Sequence, residues 1–295
     1  MKHGKNQLIV LFLALPLALY TIFVLVPYFS AAIFAFTRWS GLSSNIRFNG
    51  IDNFIKLYND EKFWNALSHN GIALMFLPIL ITAIALFFAF LFTQGIALSR
   101  FFRITFFFPQ VLSVVVVAVL WSFIYHPTVG MLNGFLEGIG VRQLTNFPWL
   151  GDARTVFGAV LAVVVWMSVG FYMVLFIAGM QTIPVDYYDA AKIDGANPWV
   201  IFWKITLPLL WDTLRTAIVF LAIGAMDLFA IVTVMTNGTG GPSRAADVVP
   251  TYLYQTAFSD GQFGYATAMG LVLLVLVLFL AIASLRFTAR EAIEY

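Results

Sequence analysis

The sequence contains no cysteine, which excludes disulfides, thiolate nucleophiles and cysteine-based metal centres. Charge is nearly as scarce. Only 10% of the 295 residues are Asp, Glu, Lys or Arg, against roughly 25% in an average soluble domain, while 61% are hydrophobic. That balance excludes an ordinary water-soluble protein and makes lipid the solvent for much of the surface. The 16 basic and 14 acidic residues leave a net charge of +2 with no basic cluster, so nucleic acid is set aside as a partner. His3, His69 and His126 are scattered without spaced carboxylates, so neither a catalytic constellation nor a metal site is expected, and the chain is read as non-enzymatic. The phosphate-binding pattern G-x-x-x-x-G-K-[ST] is also missing, so this chain does not bind ATP by that mechanism.

What is present is a series of long apolar runs. A span needs about 20 apolar residues, and six candidates meet that length: residues 8–36, 72–91, 104–125, 156–179, 217–235 and 266–285. Each is expected to be helical, because backbone groups in hydrocarbon need partners within their own segment and these runs do not alternate as barrel strands do. The expected fold is therefore an all-α integral membrane protein with six transmembrane helices in one domain, 1–295. The uncharged run from Asn6 to Thr37 is too long for the apolar core of a signal peptide and is read as a retained span. Pro16 and Pro27 within it predict a tilt, a kink or a short extension beyond the bilayer.

Orientation follows from Lys and Arg in the connections. Placing the N-terminus inside gives nine basic residues on the cytoplasmic side and seven outside, with Arg100, Arg103, Arg215 and Arg286 right at span ends. Six spans then put both termini in the cytoplasm. On the outer side, residues 52–68 predict one or two short amphipathic helices with Asp52 as N-cap. The turn "NGTGGP" at 237–242 precedes a short helical pattern, 248–258, read as a re-entrant or capping helix.

Between spans four and five lies "DYYDAAKIDGANPWVIFWKITLP", residues 186–208. Pro184 can start a helix there, and Gly195 can take the left-handed conformation that ends it. Asn197 and Pro198 read as N-cap and first residue of a second helix running toward Thr206. The first helix is expected to expose Asp186, Asp189 and Lys192 beside the small Ala190 and Ala191. Two readings fit, a docking element for another protein or an amphipathic loop on the inner leaflet. Asp227 is the one charge well inside an expected span, either on a translocation path or in a structural hydrogen bond. Gln110, Ser113, Trp121, Trp166, Ser168, Tyr172, Thr233 and Asn237 are further path candidates, on the principle that small-molecule sites combine apolar walls with a few placed polar groups. The function classes left open are a subunit of an ATP-driven importer, a secondary transporter or channel using Asp227, and an assembly protein with no path. Related halves and broken helices, the marks of many secondary transporters, are not visible in the sequence.

The series Asp189, Ala190, Ala191, Gly195, Ile205, Leu207, Pro208 resembles the cytoplasmic EAA loop, here 184–212, of the membrane subunits of binding-protein-dependent ABC importers, with Asp189 in place of the usual Glu. "FNGIDNFIKLYNDEKFWNAL" (48–67), "FFPQVLSVVVVAVLWSFIYHPTVGMLN" (107–133), "AGMQTIP" (178–184) and "GGP" (240–242) resemble recurrent stretches of the carbohydrate branch. The resemblance implies a type I importer transmembrane domain in a bacterial inner membrane. It implies that Asp186, Tyr188, Asp189, Ala190, Ala191, Asp194, Gly195, Ile205, Leu207 and Pro208 contribute to coupling with an ATPase. It also implies the partners: a second homologous permease subunit, a cytoplasmic ATP-binding subunit dimer that carries ATP and Mg, and an extracytoplasmic solute-binding protein. The implied cargo is a sugar, such as an oligosaccharide or an amino sugar like N-acetylglucosamine and its dimer.

Overall fold

A computed structural model describes residues 12–95 and 99–287. Lys2, Lys5, Arg290, the start of the first expected span at residue 8 and the sides assigned to both termini lie outside the described residues. In chain order the elements are α1 (Phe12–Phe34), β1 (Thr37–Arg38), β2 (Arg47–Phe48), α2 (Asp52–Tyr58) and α3 (Glu61–Thr93). They continue with α4 (Ser99–Val111), α5 (Val114–Ile124), α6 (Met131–Gly138), α7 (Val156–Gln181) and α8 (Val185–Ile193). The last five are α9 (Pro198–Leu209), α10 (Trp211–Met226), α11 (Phe229–Met235), α12 (Val249–Tyr254) and α13 (Phe263–Phe287). Among the described residues the contacts form two units, 12–63 with Tyr252–Val275, and Trp64–Thr251 with 276–287.

Four helices, α1, α3, α7 and the stretch Phe263–Ser284 of α13, are long and apolar enough to cross a membrane by themselves, and the bent pairs α4–α5 and α9–α10 bring the number to six if each pair is one span. The α4–α5 bend of 102° replaces the straight helix expected over 104–125. Pro109 has no N–H to offer the preceding turn, and Ser113, with φ −60° and ψ 134°, is extended and occupies the N-cap position of α5. A polar residue suited to a cap thus breaks an otherwise apolar run. The helix expected over 217–235 is also broken. α10 ends at Met226, Asp227 has φ −115° and ψ 76°, and α11 starts at Phe229. Asp227 therefore sits at a helix break and not in the middle of a span.

In the first unit, α1 buries none of its described residues and exposes Phe12, Leu15, Phe23 and Phe29, as a helix facing lipid or another membrane subunit does. Its turn widens over Thr21–Leu25, where the Val26 N–H reaches back to Thr21 O, just before Pro27 removes a ladder donor. The expected pair of short helices over 52–68 resolves differently: α2 is the first, and the second is the opening of α3. Asp52 lies in the first turn of α2 behind Ile51. α2 has no side-chain cap, and it is α3 that is capped, by Asp60, whose Oδ1 accepts from the backbone N–H of Lys62 and Phe63 at 3.0 and 3.4 Å. Its Oδ2 accepts from the hydroxyls of Tyr252 and Tyr265. Burial pushes this carboxyl up, and the bonds from Tyr265, Tyr252 and the two amides outweigh it, leaving Asp60 below the ordinary carboxylate range. Asn53, buried, donates to Ala35 O and Thr37 O at 2.8 and 2.9 Å and so ties α2 to the β1–β2 ladder.

The second unit is organised around α7, whose Val160, Val163, Met173 and Phe176 are fully buried. Without a hydrophobic drive between helices in lipid, close backbone approach at small residues supplies the packing. Gly170 is such a point: a Cβ there would lie 1.8 Å from Phe106 O of α4. At the far end of α5 the Tyr125 hydroxyl donates to Ala159 O of α7 at 3.2 Å. The connection that follows is pinned by buried Asn133, which donates to Pro127 O and Phe147 O at 2.8 and 3.0 Å and accepts from Trp149 Nε1 at 2.7 Å.

Replacing Gly170 by Ala forces α4 and α7 apart and is expected to destabilise the purified protein by about 2 kcal/mol, in the range typical of overpacking. Gly158→Ala, on the same helix where an added Cβ meets nothing within 4 Å, is the matched control and should leave the thermal unfolding midpoint in detergent unchanged or slightly raised.

Candidate functional site

The loop between α7 and α10 folds as helix, turn, helix. α8 begins after Pro184, which stands at the N-cap with φ −56° and ψ 135°, one position earlier than expected. It ends at Gly195, whose φ is +77°. The Gly195 N–H bonds Lys192 O at 3.0 Å and the Ala196 N–H bonds Ala191 O at 2.9 Å, the paired bonds of a Schellman termination. Asn197 then caps α9, its side chain accepting from Val200 N at 2.9 Å, with Pro198 in the first turn. The two helices are joined by the Thr206 hydroxyl, which donates to Tyr188 Oη at 3.4 Å.

That bond fixes which face of α8 turns inward. Ala191, three residues after Tyr188 and so on the same face, is buried. It does not share the exposed surface with Ala190 as the sequence predicted, because the Tyr188 face is the packed one. Asp186, Asp189, Ala190 and Asp194 are exposed, with an ion pair of 3.0 Å between Lys192 and Asp189. Ile193 is 86% exposed, and Val185, Tyr187, Trp199 and Trp203 are exposed as well, so the loop offers apolar surface beside its charges. Ile205 and Leu207 are half-buried and Pro208 is exposed.

The second feature is a cavity of about 270 Å³ at the break after α10. Asp227, Ser168 and Tyr172 contribute its polar groups, and Leu77, Ile81 and Phe220 are among its apolar walls. The other path candidates do not line it. Gln110 is exposed in the last turn of α4, and Ser113 is exposed at the α4–α5 bend. Trp166 stacks edge-on against Trp121 with ring centroids 5.4 Å apart. Thr233 lies in α11, and Asn237 is exposed in the turn that follows, with φ +51°.

Sequence reasoning missed the residue that makes this break tolerable. Ending α10 at Met226 leaves its last carbonyls without helical donors, and Asn70 of α3, fully buried, donates to Ala225 O at 3.1 Å and Met226 O at 3.4 Å. Its Oδ1 accepts from Val249 N, the first residue of α12, at 2.9 Å. A lone Asn at the start of a span was the available signal, since an uncharged amide in hydrocarbon needs partners. Nearby, His69 Nδ1 lies 2.8 Å from Asp247 O. Asp247 is 1% exposed and paired with Arg244 at 2.6 Å. Burial holds the Asp247 carboxyl above the usual range in spite of Arg244.

The binding-protein-dependent transport system inner membrane component family matches residues 65–291. The chain belongs to that family. It is thus a membrane permease component of an ABC transporter and is not itself catalytic. The permease is 40% identical over 279 residues to the diacetylchitobiose uptake system permease protein NgcF of Streptomyces coelicolor, covering 92% of this chain and 79% of that protein. It is 34% identical to the probable ABC transporter permease protein YurN of Bacillus subtilis over 292 residues, covering 98% and 99%. Among solved structures, a bacterial ABC transporter that imports the acidic polysaccharide alginate aligns with a TM-score of 0.81 at 24% identity, over 97% of this chain and 98% of that one. The alginate transporter in complex with its pentasaccharide-bound periplasmic protein gives 0.83 at 22%. Membership decides among the three classes left open by the sequence in favour of the importer subunit. It also shows that broken helices, hidden in the sequence, are compatible with that class.

Asn70→Leu keeps the volume and removes the amide, stranding two carbonyls and one N–H. It is expected to cost about 3 kcal/mol, since each buried group left unmatched costs about 1–3 kcal/mol. Denaturation of the purified permease, followed by tryptophan fluorescence, measures it.

Proposed function

We propose that this permease is one of two homologous membrane subunits of an ATP-driven carbohydrate importer in a bacterial inner membrane. It crosses the bilayer six times with both termini in the cytoplasm, and an extracytoplasmic solute-binding protein delivers its cargo. The cargo is an oligosaccharide or amino sugar, of which diacetylchitobiose, named for the relative NgcF, is the leading candidate. The sugar passes through the bundle near Asp227, whose carboxylate with Ser168 and Tyr172 can bond hydroxyls while the apolar walls contact the ring faces.

The observation that carries the coupling part of the reading is the α8–α9 hairpin. α8 has nine residues, too few to be stable alone in water, and it presents Ile193, Asp186 and Asp189 outward while Tyr188, bonded to Thr206 of α9, and buried Ala191 occupy its other face. A helix held on one face and offered on the other suits docking into a cleft of an ATP-binding subunit, which would hold ATP and Mg and transmit its closure through α9 into the bent α9–α10 pair.

Gly195→Val meets no atoms within 4 Å, so its effect is the backbone strain of a β-branched residue at positive φ, about 1–2 kcal/mol. The expected result is weaker co-purification with the ATPase, or hydrolysis that no longer drives uptake; normal assembly and full transport would refute the docking role. Asp227→Asn is expected to lower sugar uptake into vesicles severalfold with membrane insertion unchanged. Unaltered uptake would leave Asp227 a structural residue of the break.

A further inference from the structure

Beneath the α8–α9 hairpin lies a groove of about 810 Å³ that shares no lining residue with the cavity at Asp227. The ends of α3 and α7, the start of α4 and the inner faces of α8 and α9 enclose it. Its lining is amphipathic: Phe90, Met180 and Phe202 supply apolar surface, while Arg103 and Lys192 supply positive charge among the hydroxyls of Ser99 and Tyr188. Among the described residues no Asp or Glu lines it. Lys192 shares its charge with exposed Asp189. Arg103 has no ion pair among the described residues; one terminal nitrogen donates to Phe92 O at 2.9 Å, and its Nε is buried without a partner. On the same helix Arg100 is exposed, and Phe101, Ile104 and Phe108 are exposed apolar residues.

We infer that this groove receives the headgroup of an anionic phospholipid from the inner leaflet. The inference rests on the reading that puts the α8–α9 hairpin on the cytoplasmic side. A phosphodiester suits an uncompensated guanidinium flanked by hydroxyl donors, and the apolar part of the lining, Phe90, Met180 and Phe202, offers the acyl chains a surface beside it. Basic pockets between helix ends on the cytoplasmic side recognise anionic headgroups in this way. A sugar would leave the guanidinium uncompensated, and a free anion would leave the aromatic lining uncovered. Because Tyr188 and Lys192 belong to the hairpin, a seated lipid would brace it against the membrane domain.

The test uses the assembled transporter, with its ATPase and second membrane subunit, reconstituted in phosphatidylcholine vesicles with or without phosphatidylglycerol. Lipid retained after extraction is measured by mass spectrometry, and ATP-driven uptake is read in the same vesicles. The wild type should retain phosphatidylglycerol. Arg103→Gln should retain about fivefold less, the effect of one basic residue near an anionic surface, and Arg103→Lys should recover most of it. Arg100→Gln, an equal charge change outside the lining, should retain nearly the wild-type amount. Equal retention in Arg103→Gln and Arg100→Gln, or displacement of the lipid by inorganic phosphate, overturns the inference; so does retention by the isolated permease that vanishes on assembly, which would give the groove to the ATPase. If ATP-driven uptake persists while no phosphatidylglycerol is retained, the lipid site fails and the importer reading stands. Loss of ATP-driven uptake in every lipid would instead undo the importer reading.

Discussion

Inside a bilayer a carbonyl released from its helix has no water to turn to, so any irregular backbone at that depth must find a protein partner. This constraint governs where the chain can bend. At the end of α10 two carbonyls are released and buried Asn70 meets both, while its oxygen receives the first N–H of α12. One amide thereby joins three segments that are far apart in sequence. The break it permits is where Asp227 leaves the helix and where the small, mostly apolar cavity opens, so the placement of charge in the bundle follows from a hydrogen bond made by a different helix.

Packing works to the same end by another route. Gly170 lets the backbone of α7 meet that of α4 at a distance that admits no side chain, and Tyr125 bonds Ala159 O where α5 meets α7. These contacts hold two short helices at 102° to each other without a continuous rod. In the first unit a single carboxylate plays a comparable part: Asp60 caps α3 and receives two tyrosine hydroxyls. The hydrogen bonds that depress its pKa are also the ones that fix the loop between α2 and α3.

The α8–α9 hairpin differs because local chemistry nearly suffices to build it. A glycine with φ +77°, an Asn cap and a Pro in the first turn define its two helices, and the Tyr188–Thr206 bond sets their facing sides. What remains exposed is a surface of several acids with large apolar residues among them, Ile193 the most exposed.

The sequence by itself determined the membrane class, the helical character of the long runs, the hairpin's caps and left-handed turn, and, through the spacing of Asp189, Ala190, Ala191 and Gly195, the family. These are local or compositional matters: hydropathy is summed over about 20 neighbouring residues, and a cap or turn is decided within five. Only the tertiary structure decided that two of the apolar runs break, that Ala191 faces inward, that Asp52 leaves α2 without a side-chain cap while Asp60 caps α3 and receives two remote tyrosines, and that Tyr172 and Ser168 join Asp227 while Gln110, Trp166 and Asn237 do not. Several of those outcomes depend on a partner distant in sequence: Asn70 for the α10 break, Tyr252 and Tyr265 for Asp60, and Thr206 for the inward face of α8. A residue's own run of neighbours carries no record of which remote donor will reach it.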